Sequence, residues 1–251
     1  MLSETIAFAS LAPMLVYVIT KRSAIGFLAW LFFSIAAIAK SFEFLQVADY
    51  FNTILFILGG VFFLLLALAI FKSNSEIFIS VTFFSAISCA IYFPFVFFES
   101  LNSWIIETTA FLTSILGRLL GFKIVSAGRI LELNNSYVEI ILACTAIESI
   151  SLFAGATLGI KAKLKRKLKA FAISVPTIYF LNLLRNVFVL VSLAYSIFGD
   201  DSFYIAHHVI SKILATAALI AIAYATFRIL PELAELIYSL KGEIVRGVRG
   251  D

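Results

Sequence analysis

Charged residues are scarce in this chain. Asp, Glu, Lys and Arg make up 14% of its 251 residues, hydrophobic residues make up 62%, and the mean hydropathy is +1.07. A soluble domain is about 25% charged and about 45–50% apolar, so the polar side chains here are too few to cover a folded surface. Lipid must cover part of that surface. The composition therefore excludes an ordinary soluble protein and predicts an all-α polytopic membrane protein.

Cysteine and histidine are also rare. The chain has two cysteines, Cys89 and Cys144, no CxxC pair, and two histidines, His207 and His208. These residues are too few for a disulfide framework or a structural zinc site. The chain lacks GxSxG, HExxH and paired intramembrane aspartates, which argues against the other intramembrane proteases. Since no Gly-rich phosphate loop occurs either, we expect no metal, no other cofactor and no nucleic-acid partner.

Long apolar stretches are what the chain has in abundance. A helix needs about 20 mainly apolar residues to cross the hydrocarbon core of a bilayer. Lys21 and Arg22 follow the first stretch instead of preceding it, so we interpret it as a retained helix and not as a signal peptide. The first and fifth stretches are the shortest. About seven spans are predicted, at residues 4–20, 24–41, 52–71, 76–98, 144–160, 170–196 and 206–229.

Basic residues predict the orientation of these spans. Residues 161–169 contain six Lys or Arg and no acid, which is typical of a cytoplasmic segment. Seven spans then place the N-terminus outside and the C-terminal tail in the cytoplasm of a cell-membrane protein. The remaining charges agree: Lys21, Arg22 and Lys72 fall inside, and Glu43, Asp49, Asp200 and Asp201 fall outside.

Residues 100–143 are not predicted to span. Their first half has the spacing of an amphipathic helix, and we expect this helix to lie on the outer surface with Trp104 at the interface. In the second half, Gly128 and Asn134-Asn135 separate strand-forming residues, which predicts a β-hairpin or meander over 122–141. Pro231 begins a second amphipathic pattern near the C-terminus.

The predicted organisation is therefore a single membrane domain over 1–251. Residues 1–99 form an N-terminal four-helix half, and residues 100–143 form an extracytoplasmic amphipathic helix with its hairpin. Residues 144–230 form a three-helix catalytic part, and residues 231–251 form a cytoplasmic amphipathic tail.

Ionisable residues within predicted spans are costly and indicate function. Arg185 lies roughly 24 Å beyond Lys169 along a helix, and Asn182 and Asn186 accompany it as a polar lining. Cys144 opens the fifth span, with Glu148 one turn deeper on the same face. The two histidines open the seventh span, so three distant segments bring polar groups to one outer level.

A thiol, a guanidinium and an imidazole are the groups that cysteine acyl transfer requires. The thiolate attacks a carbonyl, cationic or N–H donors stabilise the oxyanion, and an imidazole protonates the leaving amine. A helix N-terminus beside Cys144 would favour the thiolate form. Cys89 lies inside an apolar run, and we expect it to be an ordinary buried side chain.

These same segments resemble the archaeosortase/exosortase family. The resemblance rests on ACTAIESISLFAG (143–155), VPTIYFLNLLRNVF (175–188) and AHHVISK (206–212), and covers about residues 137–232. It implies a membrane cysteine peptidase or transpeptidase acting at the outer face. The implied partners are secreted proteins that end in a short motif, a transmembrane helix and a basic tail. In the archaeal branch, a membrane lipid is the implied acceptor.

The resemblance also implies roles for individual residues. Cys144 matches the nucleophile, and Thr145-Ala146 after it is similar to the archaeal form, whereas many relatives have a small residue and Gly. Arg185 matches the arginine of an NxxR motif. The third catalytic position is filled by His207, slightly favoured, or His208, and Lys212 or Arg228 could stand in if this branch uses a cation. Glu148, Asn182 and Asn186 are predicted to bind substrate.

Two alternatives stay open at this point. A transporter or channel would use Arg185 and Glu148 to line a path, but it predicts polar groups through the membrane depth and an internal repeat. The sequence shows neither feature. A non-catalytic scaffold would leave an arginine within a span without a purpose.

Overall fold

The computed structural model describes residues 2–249. It confirms an all-α polytopic membrane protein with a small β-sheet. Between 17% and 44% of each apolar stretch is buried inside the protein, so most of the apolar surface is left for lipid to cover. Within residues 2–249, six helical stretches are long and apolar enough to span a membrane: Leu2–Thr20, Ser23–Gln46, Tyr50–Lys72, Glu76–Phe97, Leu164–Ala194 and Gly199–Ile229.

The fifth predicted span is a shorter apolar helix of 13 residues, Ile147–Gly159, which is about 20 Å long. The helices are α1 (Leu2–Ala9), α2 (Leu11–Thr20), α3 (Ser23–Gln46), α4 (Tyr50–Lys72), α5 (Glu76–Phe97), α6 (Glu99–Leu119), α7 (Ile147–Gly159), α8 (Leu164–Ala194), α9 (Ser202–Tyr204), α10 (Ser211–Ile229) and α11 (Pro231–Arg249). The strands are β1 (Val125–Ala127), β2 (Ile130–Leu133) and β3 (Ser136–Glu139), and a π-helix covers Ile205–Ile210.

The chain forms two compact units. The first contains residues 2–90, 155–167 and 230–249 of the described chain. Its core combines aromatic and aliphatic side chains of α2 to α5 with Leu240 and Ile244 of α11. Buried polar groups are paired across these helices: Trp30 Nε1 donates to Thr82 Oγ1 at 2.9 Å.

Glycines allow close helix contacts within this first unit. A Cβ at Gly60 of α4 would lie 2.5 Å from Ile38 Cδ1 of α3, and one at Gly159 of α7 would lie 2.6 Å from the Phe84 Cα of α5. Such small residues let helix backbones approach in a membrane, where packing and not the hydrophobic effect drives helix association.

The predicted C-terminal helix is present as α11 and begins at Pro231. Its Glu232 forms an ion pair with Arg166 at the start of α8. The basic segment 161–169 is only partly a loop, because α8 begins at Leu164 and includes Lys165, Arg166, Lys167 and Lys169.

The second unit contains residues 91–154 and 168–229. Its three strands form an antiparallel meander in the order β1-β2-β3, with Val125 opposite Glu132 and Leu133 opposite Ser136. The predicted turn residues make both turns: Gly128 has φ +60°, and Asn134 and Asn135 have φ of 49° and 61°. Two positive φ values in a two-residue loop suit the twist of a hairpin.

One face of the sheet packs into the core of this second unit. Leu131, Leu133 and Ile140 contact apolar residues of α6 and α8, in a cluster that also includes Cys144. The predicted helix in the first half of 100–143 is α6, with Ile105 and Thr109 buried and Trp104 exposed. Its position on the outer surface stays a prediction.

Candidate active site

Cys144 does not lie inside α7. It ends a short 3-10 helix, Leu142–Cys144, and its backbone N–H donates to Ile141 O at 2.8 Å. Ala146 then has φ +59°, in the left-handed region, before α7 begins at Ile147. A left-handed residue breaks helical continuity, which explains why the expected span over 144–160 begins later as a helix.

Two asparagines of α8 hold this turn by its backbone. Asn182 Nδ2 donates to Cys144 O at 2.7 Å, and Asn186 Nδ2 donates to the same oxygen at 3.1 Å. The two side chains lie four residues apart and therefore on one helix face, and both are buried. A carbonyl oxygen has two lone pairs, so both are used, and the nucleophile candidate is tied to α8.

Arg185, on the same stretch of α8, contacts the imidazole of His207. Arg185 Nη2 lies 3.2 Å from His207 Nε2. An arginine donates hydrogen bonds and never accepts them, so Nε2 is the acceptor and the ring proton of the neutral imidazole is on Nδ1. That Nδ1 atom is buried and has no hydrogen-bond partner within residues 2–249.

The contacts distinguish the two histidines. His207 stacks on Phe203, with ring centroids 5.2 Å apart and planes at 10°, and it meets His208 edge-on. His208 is exposed, stacks on Tyr204 and makes no hydrogen bond with Arg185 within the described chain. Arg228 lies roughly 30 Å further along the helix, where it meets Tyr224. The Arg185 contact therefore favours His207 as the third residue.

A cavity of about 560 Å³ opens beside these groups, between α7, α8 and α10. Most of its lining is apolar, and it includes Ala143 and Ala146 on either side of Cys144. Its polar lining residues are Glu148, Ser149, Asn182, Arg185 and Ser211. Glu148 is exposed and accepts a hydrogen bond from Tyr92 Oη at 3.3 Å.

The three sequence segments are thus joined through α8, which contacts the Cys144 turn and the His207 ring. The Cys144 residue is 8% exposed and packs in the apolar cluster with Ile140 and Val187. Among residues 2–249, Cys144 Sγ makes no hydrogen bond to Arg185 or His207. Neither Cys144 nor His207 is among the described residues that line the cavity, and the lining residues next to them are Ala143, Ala146 and Arg185.

Sequence reasoning overlooked Ser211 and the function of the asparagine pair. Ser211 belongs to the AHHVISK segment, and its spacing of four residues from His207 was the available signal. The hydrogen bonds from the asparagines to a backbone oxygen could not be predicted. Every residue has a backbone carbonyl, and the sequence does not show which one a side-chain amide contacts.

Comparisons with known proteins find similarity to one family model and to two curated relatives. The family model described as transmembrane exosortase matches residues 3–227. Archaeosortase A of Haloferax volcanii is 36% identical over 116 residues, covering 40% of this chain and 38% of that protein. Archaeosortase A of Natronomonas pharaonis is 29% identical over 120 residues, covering 41% and 38%. The chain thus matches about two fifths of the length of these curated relatives. No solved structure matches it.

Proposed function

Because this chain belongs to the transmembrane exosortase family, we propose that it is a membrane-embedded cysteine transpeptidase that cleaves a C-terminal sorting signal from secreted proteins. The similarity to two archaeosortases supports a sorting enzyme. The observation that carries the proposal is the face of α8, from which Asn182 and Asn186 bind the Cys144 turn and Arg185 binds His207.

The first half of the proposed reaction forms a thioester. The substrate segment enters the cavity and its scissile carbonyl draws the Arg185 guanidinium away from His207 Nε2, which is then free to accept the thiol proton. The Cys144 thiolate attacks the carbonyl carbon, and Arg185 stabilises the oxyanion. The C–N bond breaks, and His207 returns its proton to the leaving amine.

The second half releases the new C-terminus. An amine on a membrane lipid precursor, or water, attacks the thioester carbon and gives a proton to His207, and the C–S bond breaks as His207 passes that proton to the sulfur and regenerates the thiol. We propose a lipid as the acceptor, with water as the competing nucleophile. The substrates are secreted proteins with a recognition motif, a transmembrane helix and a basic tail.

The proposed orientation puts the reaction outside the cell. The N-terminus lies outside and the C-terminus in the cytoplasm, as the basic residues of 161–169 favour. A thiol-reactive, membrane-impermeant reagent applied to intact cells should then modify single cysteines introduced at Asn134, and not those introduced at Lys163. The reverse labelling would overturn the orientation without affecting the chemistry.

The cavity argues against a transporter or channel. Its polar residues lie at the beginning of α7, the beginning of α10 and nearby on α8, whereas Ile178 and Ile222 line it further along. Ile222 is roughly 16 Å beyond Ser211 along α10. A transport path needs polar groups through the depth of the membrane, and this cavity becomes apolar instead.

The test is to follow processing of a membrane-tailed reporter. Cys144→Ala and Arg185→Ala should each abolish cleavage, because one removes the nucleophile and the other the cation beside the proton carrier. Cys89→Ala is the matched control, since Cys89 is also a buried free cysteine but lies outside the site, and it should cleave at the wild-type rate. Full activity in Cys144→Ala would overturn the proposed chemistry.

A further inference from the structure

Ser211 is a buried residue of the cavity whose hydroxyl has no partner. It is the first residue of α10, its side chain is 2% exposed, and it lines the cavity with Asn182 and Arg185. Across the described part of the chain, no group makes a hydrogen bond with its Oγ. A buried polar atom without a partner is costly and rare in folded proteins.

The backbone at Ser211 differs from that of an ordinary helical serine. Helical Ser and Thr hydroxyls commonly bond to the carbonyl four residues earlier, as Thr216 does to Lys212 O at 2.8 Å and Thr226 does to Ile222 O at 2.8 Å. At Ser211 the backbone N–H bonds to Ala206 O, five residues earlier. This wider turn changes the position of the preceding carbonyls and leaves the hydroxyl available to a ligand.

The groups around Ser211 suit a ligand that accepts hydrogen bonds. Arg185 has only donors, and the proton of neutral His207 lies on Nδ1, which is buried and unpaired within the described residues. An extended peptide supplies carbonyl oxygens as acceptors. A protonated amine of a lipid headgroup supplies only donors, so it would pair with Glu148 of the same lining and not with Arg185.

We propose that Ser211 binds the substrate peptide by donating a hydrogen bond from its Oγ to a carbonyl oxygen beside the scissile bond. This inference rests on the proposed function, since it assumes that a peptide is cleaved at this cavity. Ser211 would thus be a substrate-binding residue that works with Arg185, and it directly follows the π-helix that contains His207.

The test compares Ser211→Ala with a matched control, Ser192→Ala. Ser192 is fully buried and its Oγ also lacks a partner within residues 2–249, but it is not part of the cavity lining. Purified variants would be assayed for cleavage of the membrane-tailed reporter at varied substrate concentration, and their melting temperatures recorded. Ser211→Thr, which keeps a hydroxyl, tests rescue.

We expect Ser211→Ala to reduce kcat/KM by about tenfold, the loss of one hydrogen bond, while its melting temperature stays equal to wild type or rises. Ser211→Thr should recover most of the loss, and Ser192→Ala should cleave normally. A Ser211→Ala variant with unchanged kcat/KM, or one that loses stability and activity together, would overturn the inference.

Cys144→Ala in the same assay separates this inference from the proposed function. If Cys144→Ala is inactive and Ser211→Ala is fully active, only the role of Ser211 is wrong. If Cys144→Ala cleaves normally, the proposed function itself is wrong.

Discussion

The two compact units of this protein differ in how many of their buried polar atoms lack a hydrogen-bond partner. In the first unit, polar and charged side chains bind one another: Lys40 bridges Glu4 and Glu43, and Trp30 binds Thr82. Of the buried polar atoms without a partner in residues 2–249, four belong to the second unit, Ser151 Oγ, Ser192 Oγ, His207 Nδ1 and Ser211 Oγ, and one, Glu232 Oε2, belongs to the first. Paired groups stabilise a fold, whereas unpaired groups beside a cavity are available to a ligand.

Removing one positive charge from each unit should give the largest difference between the two units. Arg185→Met should reduce cleavage at least about 100-fold, because an oxyanion donor is lost, with little change in melting temperature. Lys40→Met should do the opposite and destabilise the protein by about 1–3 kcal/mol, because the cation between two carboxylates is lost, while the kcat of the folded fraction is unchanged. Melting curves and cleavage rates of both variants measure the two effects.

Two results would contradict this difference between the units. If Lys40→Met stops cleavage in protein that remains folded, the first unit takes part in the chemistry. If Arg185→Met mainly lowers the melting temperature, Arg185 is a structural residue.

The asparagine pair should give an intermediate, non-additive effect. In Asn182→Ala or Asn186→Ala the Cys144 carbonyl keeps one donor, so each variant should lose about fivefold to thirtyfold in cleavage rate. In the double variant the carbonyl has neither amide donor, and the loss should exceed the product of the two single losses. Double-mutant kinetics of the reporter reaction measure this coupling. Simple multiplication of the effects would show that the asparagines act independently, for example on substrate.

The smallest expected effects concern two alanines with left-handed backbone. Ala48 in the first unit has φ 56°, and Ala146 in the second has φ 59°. Replacing either by glycine removes Cβ strain and should stabilise the protein by about 0.5–1 kcal/mol, visible as a higher melting temperature. Only Ala146→Gly should also change the cleavage rate, since it adjoins the Cys144 turn. Equal changes in rate would contradict a local role for Ala146.

The sequence allowed prediction of those features that depend on local composition. Apolar length predicted the membrane helices, and Gly128 with Asn134-Asn135 predicted the turns of the meander. The break at Ala146 was not predictable, because an apolar run shows no sign that one alanine adopts a left-handed conformation. The π-helix could not be predicted from the sequence either, since its wide turn depends on packing and not on the conformational preferences of its residues.

The residues of the candidate site were selected from the sequence, but their contacts were not. Cys144, Arg185 and His207 stay a prediction as catalytic residues, and the structure adds the contact between Arg185 and His207. The asparagines were expected to bind substrate, and their hydrogen bonds to the Cys144 carbonyl arise only when α8 packs against the turn.

The most direct measurement is intact-protein mass spectrometry of the purified enzyme during reaction with the membrane-tailed reporter. The proposed mechanism predicts an adduct on Cys144 with the mass of the reporter's N-terminal fragment. Hydroxylamine should remove this adduct, and Cys144→Ala should not form it. Cleavage of the reporter with no adduct on the wild-type enzyme, or an equal adduct on Cys144→Ala, would contradict it.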